Sequence, residues 1–145
     1  MKRVQNILER KGTAVSSIGE SATVLEAARE MNRQRIGSPV VLKGDDVIGI
    51  FSERDILTRV VAVGLDPATT AVNAVMTTPV ACCKRESSLE ECKAVMTELR
   101  VRHLPVVDEG RIQGIVTAGD LMAFEAKEHE HTIEHLYHYL YGTSP

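Results

Sequence analysis

The sequence contains few cysteines, few aromatic residues and no long hydrophobic run, and these shortages exclude several classes of protein. The three cysteines are an odd number and two of them, Cys82 and Cys83, are adjacent, so we do not expect a disulfide framework. No apolar run approaches the roughly 18 residues of a membrane span, and the N-terminus lacks the apolar stretch of a secretory signal. A net charge of −3 is not typical of proteins that bind nucleic acid through a basic face. We therefore expect a cytoplasmic protein that binds neither nucleic acid nor a membrane.

An internal repeat with a spacing of 65 residues is the main feature that the sequence does contain. Residue n aligns with residue n + 65 without a gap, through predicted helices, strands and turns alike. Chance similarity would not keep this register across so many kinds of element, so the chain contains two copies of one structural unit. Identical pairs include Glu26 with Glu91, Met31 with Met96, Arg35 with Arg100, Gly49 with Gly114, and Asp55 with Asp120.

Both copies predict the same order of elements, β-α-β-β-α. Apolar residues recur at positions i, i+3, i+4 and i+7 in residues 24–31, and at i, i+3, i+6 and i+7 in residues 89–96. Both patterns indicate one buried helix face. Two strands joined by a turn containing Gly and Asp follow, and a second helix begins at Ser52 and at Thr117. A unit of about 55 residues is too small to bury a sufficient core alone. We therefore predict an α+β fold in which the two units pack sheet against sheet about a pseudo-two-fold axis, leaving two equivalent clefts.

The predicted boundaries place the first unit at residues 8–67, the second at residues 76–132, and a C-terminal helical tail at residues 133–145. Short apolar patterns occur both before the first unit and between the units, and they mirror each other. Each pattern is typical of a short packed helix: Val4, Ile7 and Leu8 in the first, and Val72, Val75 and Met76 in the second.

The pattern Gly-apolar-apolar-Ser/Thr-x-x-Asp occurs in both copies where a strand ends and a helix begins. A Ser or Thr followed three residues later by an acid resembles a helix capping box, which is a structural interpretation. The alternative is a binding site, because the Ser52 hydroxyl can bond a phosphate or sugar oxygen and the Asp55 carboxylate can accept two ribose hydroxyls. Thr117 and Asp120 are the counterparts in the second copy. Sugar and phosphate together indicate a nucleotide, although other ligands would also satisfy these residues.

These turns, together with Val101-Arg102-His103-Leu104-Pro105-Val106-Val107, resemble a tandem pair of CBS domains (a Bateman module). The resemblance covers about residues 4 to 128. The counterpart of residues 101–107 in the first copy is residues 36–41, in which the proline lies one position earlier in the repeat register. The resemblance implies a non-enzymatic sensor that binds an adenosyl ligand, such as AMP, ADP, ATP, NAD or S-adenosylmethionine, in the clefts between the units.

The resemblance also implies which residues contact the ligand. The first site would comprise Val15, Ser17, Ile36, Gly37, Ser38, Pro39, Ser52, Arg54 and Asp55. The second would comprise Val80, Cys82, Arg102, His103, Leu104, Pro105, Thr117 and Asp120. The two sites are unequal, since Arg54 is matched by Gly119 and Arg102 by Gly37, so we expect them to differ in ligand preference or affinity.

Catalysis has no support in the sequence, which contains no nucleophile elbow, P-loop or glycine-rich dinucleotide motif. His131, His135 and His138 fall on one helix face, but an apolar stripe runs along the same stretch, so we favour helix packing over a metal site. The resemblance implies a homodimer formed through helices, and a regulatory role adds an unidentified protein target. The alternative for the whole chain is a dimeric structural scaffold whose clefts bind no nucleotide.

Overall fold

The computed structural model, which describes residues 2–128, contains two units with the same order of elements, except that a single bridge takes the place of the first strand in the second unit. The first unit contains β1 (Ser17–Gly19), α2 (Val24–Gln34), β2 (Val40–Lys43), β3 (Asp46–Ile50) and α3 (Glu53–Ile56), which continues as a π-helical turn (Leu57–Val61). The second contains α5 (Leu89–Leu99), β4 (His103–Asp108), β5 (Arg111–Thr117) and α6 (Ala118–Glu128). Helix α1 (Val4–Lys11) precedes the first unit, and α4 (Val72–Val75) lies between the two. The predicted repeat is confirmed, whereas the predicted tail at 133–145 lies outside the described residues.

Helices α2 and α5 begin and end in the same way. The hydroxyls of Thr23 and Ser88 accept hydrogen bonds of 3.1 Å from backbone N–H groups three residues later, which caps each helix at its start. Each helix ends at an arginine in the left-handed conformation, with φ 55° at both Arg35 and Arg100. Few residues other than glycine adopt this conformation. The repeat therefore extends to an unusual backbone geometry.

The two sheets differ in their first strand. In the first unit β1 pairs parallel with β2, which pairs antiparallel with β3. In the second unit β4 and β5 pair antiparallel, and the segment before α5 contributes one parallel bridge between Cys83 and Val106. Two hydrogen bonds hold this bridge, from the Cys83 N–H to the Pro105 carbonyl (2.9 Å) and from the Val107 N–H to the Cys83 carbonyl (2.8 Å). Strands β3 and β5 contact each other where the units meet.

Each of the two short helices packs against the unit that does not directly follow it in the sequence. Helix α1, which comes before the first unit, packs in the core of the second, and α4 packs in the core of the first. The backbone contacts are equivalent: the Val4 N–H donates to the Ser87 carbonyl at 2.9 Å, and the Val72 N–H donates to the Ala22 carbonyl at 2.8 Å. Ser87 and Ala22 are themselves repeat counterparts. The pseudo-two-fold symmetry therefore includes α1 and α4.

The repeated glycines on β3 and β5 allow this packing. A Cβ atom added at Gly49 would lie 2.5 Å from the Met76 sulfur, and one added at Gly114 would lie 2.8 Å from Cδ2 of Leu8. Both distances are too short for a non-bonded contact. The glycine of the repeated motif thus accommodates Met76, which follows α4, in the first unit, and Leu8, which lies within α1, in the second.

Candidate functional site

The Ser/Thr-x-x-Asp turn forms a reciprocal cap in both units. The Ser52 N–H donates to the Asp55 carboxylate at 2.9 Å, and the Asp55 N–H donates to the Ser52 hydroxyl at 3.2 Å. The corresponding distances for Thr117 and Asp120 are 2.9 and 3.0 Å. The structural interpretation of the motif, as a capping box, is therefore confirmed.

The two motif carboxylates have different further partners. Asp55 is 4 % exposed, and its Oδ1 atom accepts a 2.9 Å hydrogen bond from the Thr77 hydroxyl. The Arg59 Nε atom lies 3.8 Å from the same oxygen. Asp120 is more accessible and pairs with the ammonium of Lys11 at 2.7 Å. Both Asp55 oxygens are thus occupied inside the protein.

A cavity of about 620 Å³ opens above the first motif and is lined by both units. Ser52 and Thr77, the two residues whose hydroxyls contact Asp55, both line it. Seven of the residues predicted from the sequence line this one cavity: Gly37, Ser38, Ser52 and Arg54 from the predicted first site, and Val80, Arg102 and His103 from the predicted second site.

The other predicted residues lie elsewhere. Asp55 lies beneath the cavity, in contact with its lining, whereas Ile36 lines a separate cavity of about 360 Å³ and Asp120 a small one of about 150 Å³. Three are buried in or beside the strands: Pro39, Leu104 and Pro105. The rest do not line the large cavity: Val15, Ser17, Cys82 and Thr117. Their assignment to ligand binding stays a prediction.

Positive charge dominates the lining of the large cavity. Arg54, Arg100 and Arg102 line it, together with Glu53 as its acidic residue. The pKa of the neighbouring His103 is lowered, first by burial and then by the charges of Arg102 and Lys11, so this imidazole is neutral at pH 7. Such a surface favours an anionic ligand.

Sequence reasoning missed Arg100 and Thr77 as cavity residues. Arg100 was visible as one member of an identical repeat pair, but its partner Arg35 lines a different cavity, so the pairing alone carried no functional signal. Thr77 follows α4 and lies outside the motif. Only its antiparallel bridge to Ile50 brings its hydroxyl to Asp55.

The cysteines and histidines give no metal site in the described part of the chain, since residues 2–128 contain no group of three or more His, Cys, Asp or Glu side chains that could hold a metal ion. The three thiols are free: Cys83 and Cys92 are buried, and burial raises the pKa of the exposed Cys82. His131, His135 and His138 lie outside the described residues. None of the described helices is both long and apolar enough to cross a membrane.

Comparison with known proteins identifies the repeated unit. The family model described as "CBS domain" matches residues 12–62 and again residues 72–127. The CBS domain-containing protein YhcV of Bacillus subtilis is 31 % identical over 118 residues, which cover 81 % of this chain and 84 % of that protein. Hypoxic response protein 1 of Mycobacterium tuberculosis is 34 % identical over 108 residues, or 74 % of this chain and 76 % of that protein.

Solved structures give the same result. A CBS-domain-containing protein from Agrobacterium tumefaciens superposes with a TM-score of 0.80 at 34 % identity, covering 86 % of this chain and 99 % of that one. A hexameric CBS-CP12 protein from bloom-forming cyanobacteria superposes with a TM-score of 0.72 at 28 % identity, covering 83 % of this chain and 70 % of that one.

Proposed function

Since the chain belongs to the CBS-domain family, with two CBS domains in tandem, we propose that it is a regulatory module that binds an adenine nucleotide in the cavity between its two units. AMP, ADP, ATP and NAD are the candidate ligands. Binding would favour one arrangement of the units, and only a ligand with different affinities for two arrangements can shift their populations. A protein target would then read the arrangement.

The cavity is the observation that carries this proposal. Its volume of about 620 Å³ lies within the range of roughly 300–1,000 Å³ that is typical of small-molecule sites. Apolar residues such as Ile50 and Val80 line it beside the hydroxyls of Ser52 and Thr77 and the three arginines. An adenine nucleotide would find apolar surface for its base and polar groups for its ribose and phosphate.

In this proposal Asp55 acts first as a positioning residue. Its Oδ2 atom accepts from the Ser52 N–H and hydroxyl, and its Oδ1 atom accepts from the Thr77 hydroxyl, so it holds two cavity hydroxyls in place. A direct contact between Asp55 and a ribose requires the Thr77 hydroxyl to rotate away. The hydroxyls of Ser52 and Thr77 are therefore the groups that can contact the ligand without such a rearrangement.

Thermal unfolding of the full chain tests the proposal with adenosine, AMP, ADP, ATP and NAD added separately. A ligand at a hundred times its Kd should stabilise the protein by about 2.7 kcal/mol. Ser52→Ala should reduce the ligand-induced shift, whereas Ser21→Ala, at an exposed serine outside the cavity, should leave it unchanged. The absence of any shift with all five compounds would reject nucleotide binding and favour the scaffold alternative.

Self-association through helices is the second part of the proposal. Leu57 and its repeat counterpart Met122 are 61 % and 66 % exposed, and Val61 on the π-helical turn is 63 % exposed. Exposed apolar residues on neighbouring turns are typical of interaction surfaces. The hexameric assembly of the CBS-CP12 protein supports an oligomer, and we propose a homodimer. Replacing Leu57 with Glu should shift the sedimentation coefficient towards that of the monomer, while Thr69→Glu should not.

A further inference from the structure

We propose that the large cavity selects a ligand with two or more linked phosphates, and that Arg100, together with Arg54 and Arg102, determines this selectivity. The inference rests on the proposed function and deepens it by choosing among the adenosyl compounds. The charged side chains that line the cavity, and the absence of ion-pair partners for its arginines among residues 2–128, support it.

The three cavity arginines have no anionic partner in the described protein. Within residues 2–128, the guanidinium groups of Arg54, Arg100 and Arg102 form no ion pair and donate no hydrogen bond to another side chain or carbonyl. Two arginines outside the cavity are engaged: Arg33 pairs with Glu30, and Arg59 donates to the Met76 carbonyl at 2.7 Å. The cavity therefore concentrates cations that residues 2–128 do not neutralise.

Glu53 is the one acidic residue of the lining, and it is turned towards Gly37. A Cβ atom added at Gly37 would lie 3.1 Å from the carboxyl carbon of Glu53. Three arginines and one glutamate thus line the same cavity. A guanidinium binds phosphate oxygens through paired N–H groups. Three guanidinium groups can therefore bind more phosphate oxygens than a single phosphate group offers. S-adenosylmethionine, which carries a sulfonium and an ammonium cation, would meet like charges.

The arginines come from both units, which sets how an anion must lie. Arg54 lies within the first motif, in α3, whereas Arg100 ends α5 and Arg102 precedes β4. A chain of linked phosphates offers more oxygens than a single phosphate for contacts with arginines of both units at once. Phosphate binding would thereby join the two units across the cavity.

Arg100 is the most sharply testable of the three because the chain provides its own control. Its N–H donates to the Met96 carbonyl in the left-handed helix cap, and Arg35 makes the equivalent bond to Met31 with the same φ of 55°. Arg35 lines the separate cavity of about 360 Å³ between α2 and α3. The two arginines share residue type and backbone conformation but differ in the cavity they line.

Isothermal titration calorimetry on the full chain tests this with adenosine, AMP, ADP, ATP, S-adenosylmethionine and inorganic tripolyphosphate. ADP and ATP should bind at least about ten-fold more tightly than AMP, since charge-assisted contacts are among the stronger hydrogen bonds. Arg100→Gln should remove most of that advantage while changing the affinity for adenosine less than about three-fold. Arg35→Gln should leave every affinity within about two-fold of the wild-type value.

Each other result has a definite meaning. If AMP or S-adenosylmethionine binds as tightly as ATP, the phosphate selectivity is wrong while nucleotide binding stands. If Arg35→Gln weakens ATP as much as Arg100→Gln does, the assignment to Arg100 is wrong. If tripolyphosphate binds in an Arg100-dependent manner and adenosine adds nothing to it, the anion site stands and the nucleotide proposal fails. Binding by neither class of compound rejects both.

Discussion

The ammonium of Lys11 lies 2.7 Å from the Asp120 carboxylate. Lys11 therefore binds the motif carboxylate of the second unit, as Thr77 binds that of the first. Thr77 uses two groups: its N–H donates to the Ile50 carbonyl at 2.8 Å, and its hydroxyl donates to Asp55 at 2.9 Å. Lys11 uses one group for both contacts, because its ammonium also donates to the carbonyl of Ile115, the counterpart of Ile50, at 3.0 Å. The two motifs are therefore closed by a neutral hydroxyl and by a cation.

Replacing Lys11 with Met should destabilise the protein by about 1–2 kcal/mol, because it leaves the partly buried Asp120 without its cation and loosens the end of α1. The measurement is the midpoint of urea unfolding. Lys93→Met is the matched control, since the Lys93–Glu125 pair is more than half exposed on both sides and such pairs contribute little. Equal effects of the two substitutions would contradict a special role for Lys11.

Replacing Asp55 with Ala should cost about 2–3 kcal/mol of unfolding free energy. The change removes a helix cap and leaves the Ser52 N–H and the Thr77 hydroxyl without their acceptor. Thermal unfolding without ligand measures the effect. Asp45→Ala, in the exposed turn between β2 and β3, should change stability by less than about 0.5 kcal/mol. A loss below about 1 kcal/mol at Asp55 would argue that its contacts are weak.

Gly49→Ala and Gly114→Ala should each destabilise the fold by about 1–3 kcal/mol, because the added methyl group meets Met76 or Leu8. At Gly49 the added methyl group would also lie 3.1 Å from the backbone carbonyl oxygen of Thr77. Gly19→Ala serves as the control, since a Cβ atom there meets nothing within 4 Å. Chemical denaturation of the three variants would expose the error if all three lost the same stability.

Acidification should destabilise the protein through His103. Burial, with Arg102 and Lys11 adding to it and Asp120 opposing it, lowers the pKa of this imidazole in the folded state. The unfolded chain, with an ordinary pKa of about 6.5, then binds the proton more readily, so stability falls as the pH drops below that value. His103→Gln should therefore lose less stability between pH 7.5 and pH 5.5 than the wild type does. An identical decline in both proteins would show that other groups control it.

The repeat allowed most of the fold to be predicted from the sequence. Capping residues, hairpin turns and helix periodicity are local signals, and each occurs twice in the same register, so the second copy checks the first. The exchange of α1 and α4 was not predictable in this way. Their apolar patterns show that each helix buries a face, but not which unit receives it, because that depends on the path of the chain in space.

The site was harder to predict for a related reason. The motif identified Ser52 and Arg54, which line the cavity, but the sequence assigned residues to two separate equivalent clefts. The structure brings Arg102 and His103 to the same cavity as Ser52, because the segments before β2 and β4 meet where the two units join. A residue such as Thr77, placed by one bridge to another segment, carries no local signal at all.

The exchange of the short helices also constrains how the chain can be made. The side chain of Arg3 donates to the carbonyl of Glu86, 83 residues later, and α1 packs in a core that is built from the second half of the sequence. During synthesis, α1 leaves the ribosome long before the residues that pack on it. Its apolar face therefore stays exposed until those residues are made. Contacts between distant parts of a sequence slow folding. The second unit, although made after the first, cannot be completed without α1, which is made before both. The two units should therefore fold in one concerted step and not as two successive halves.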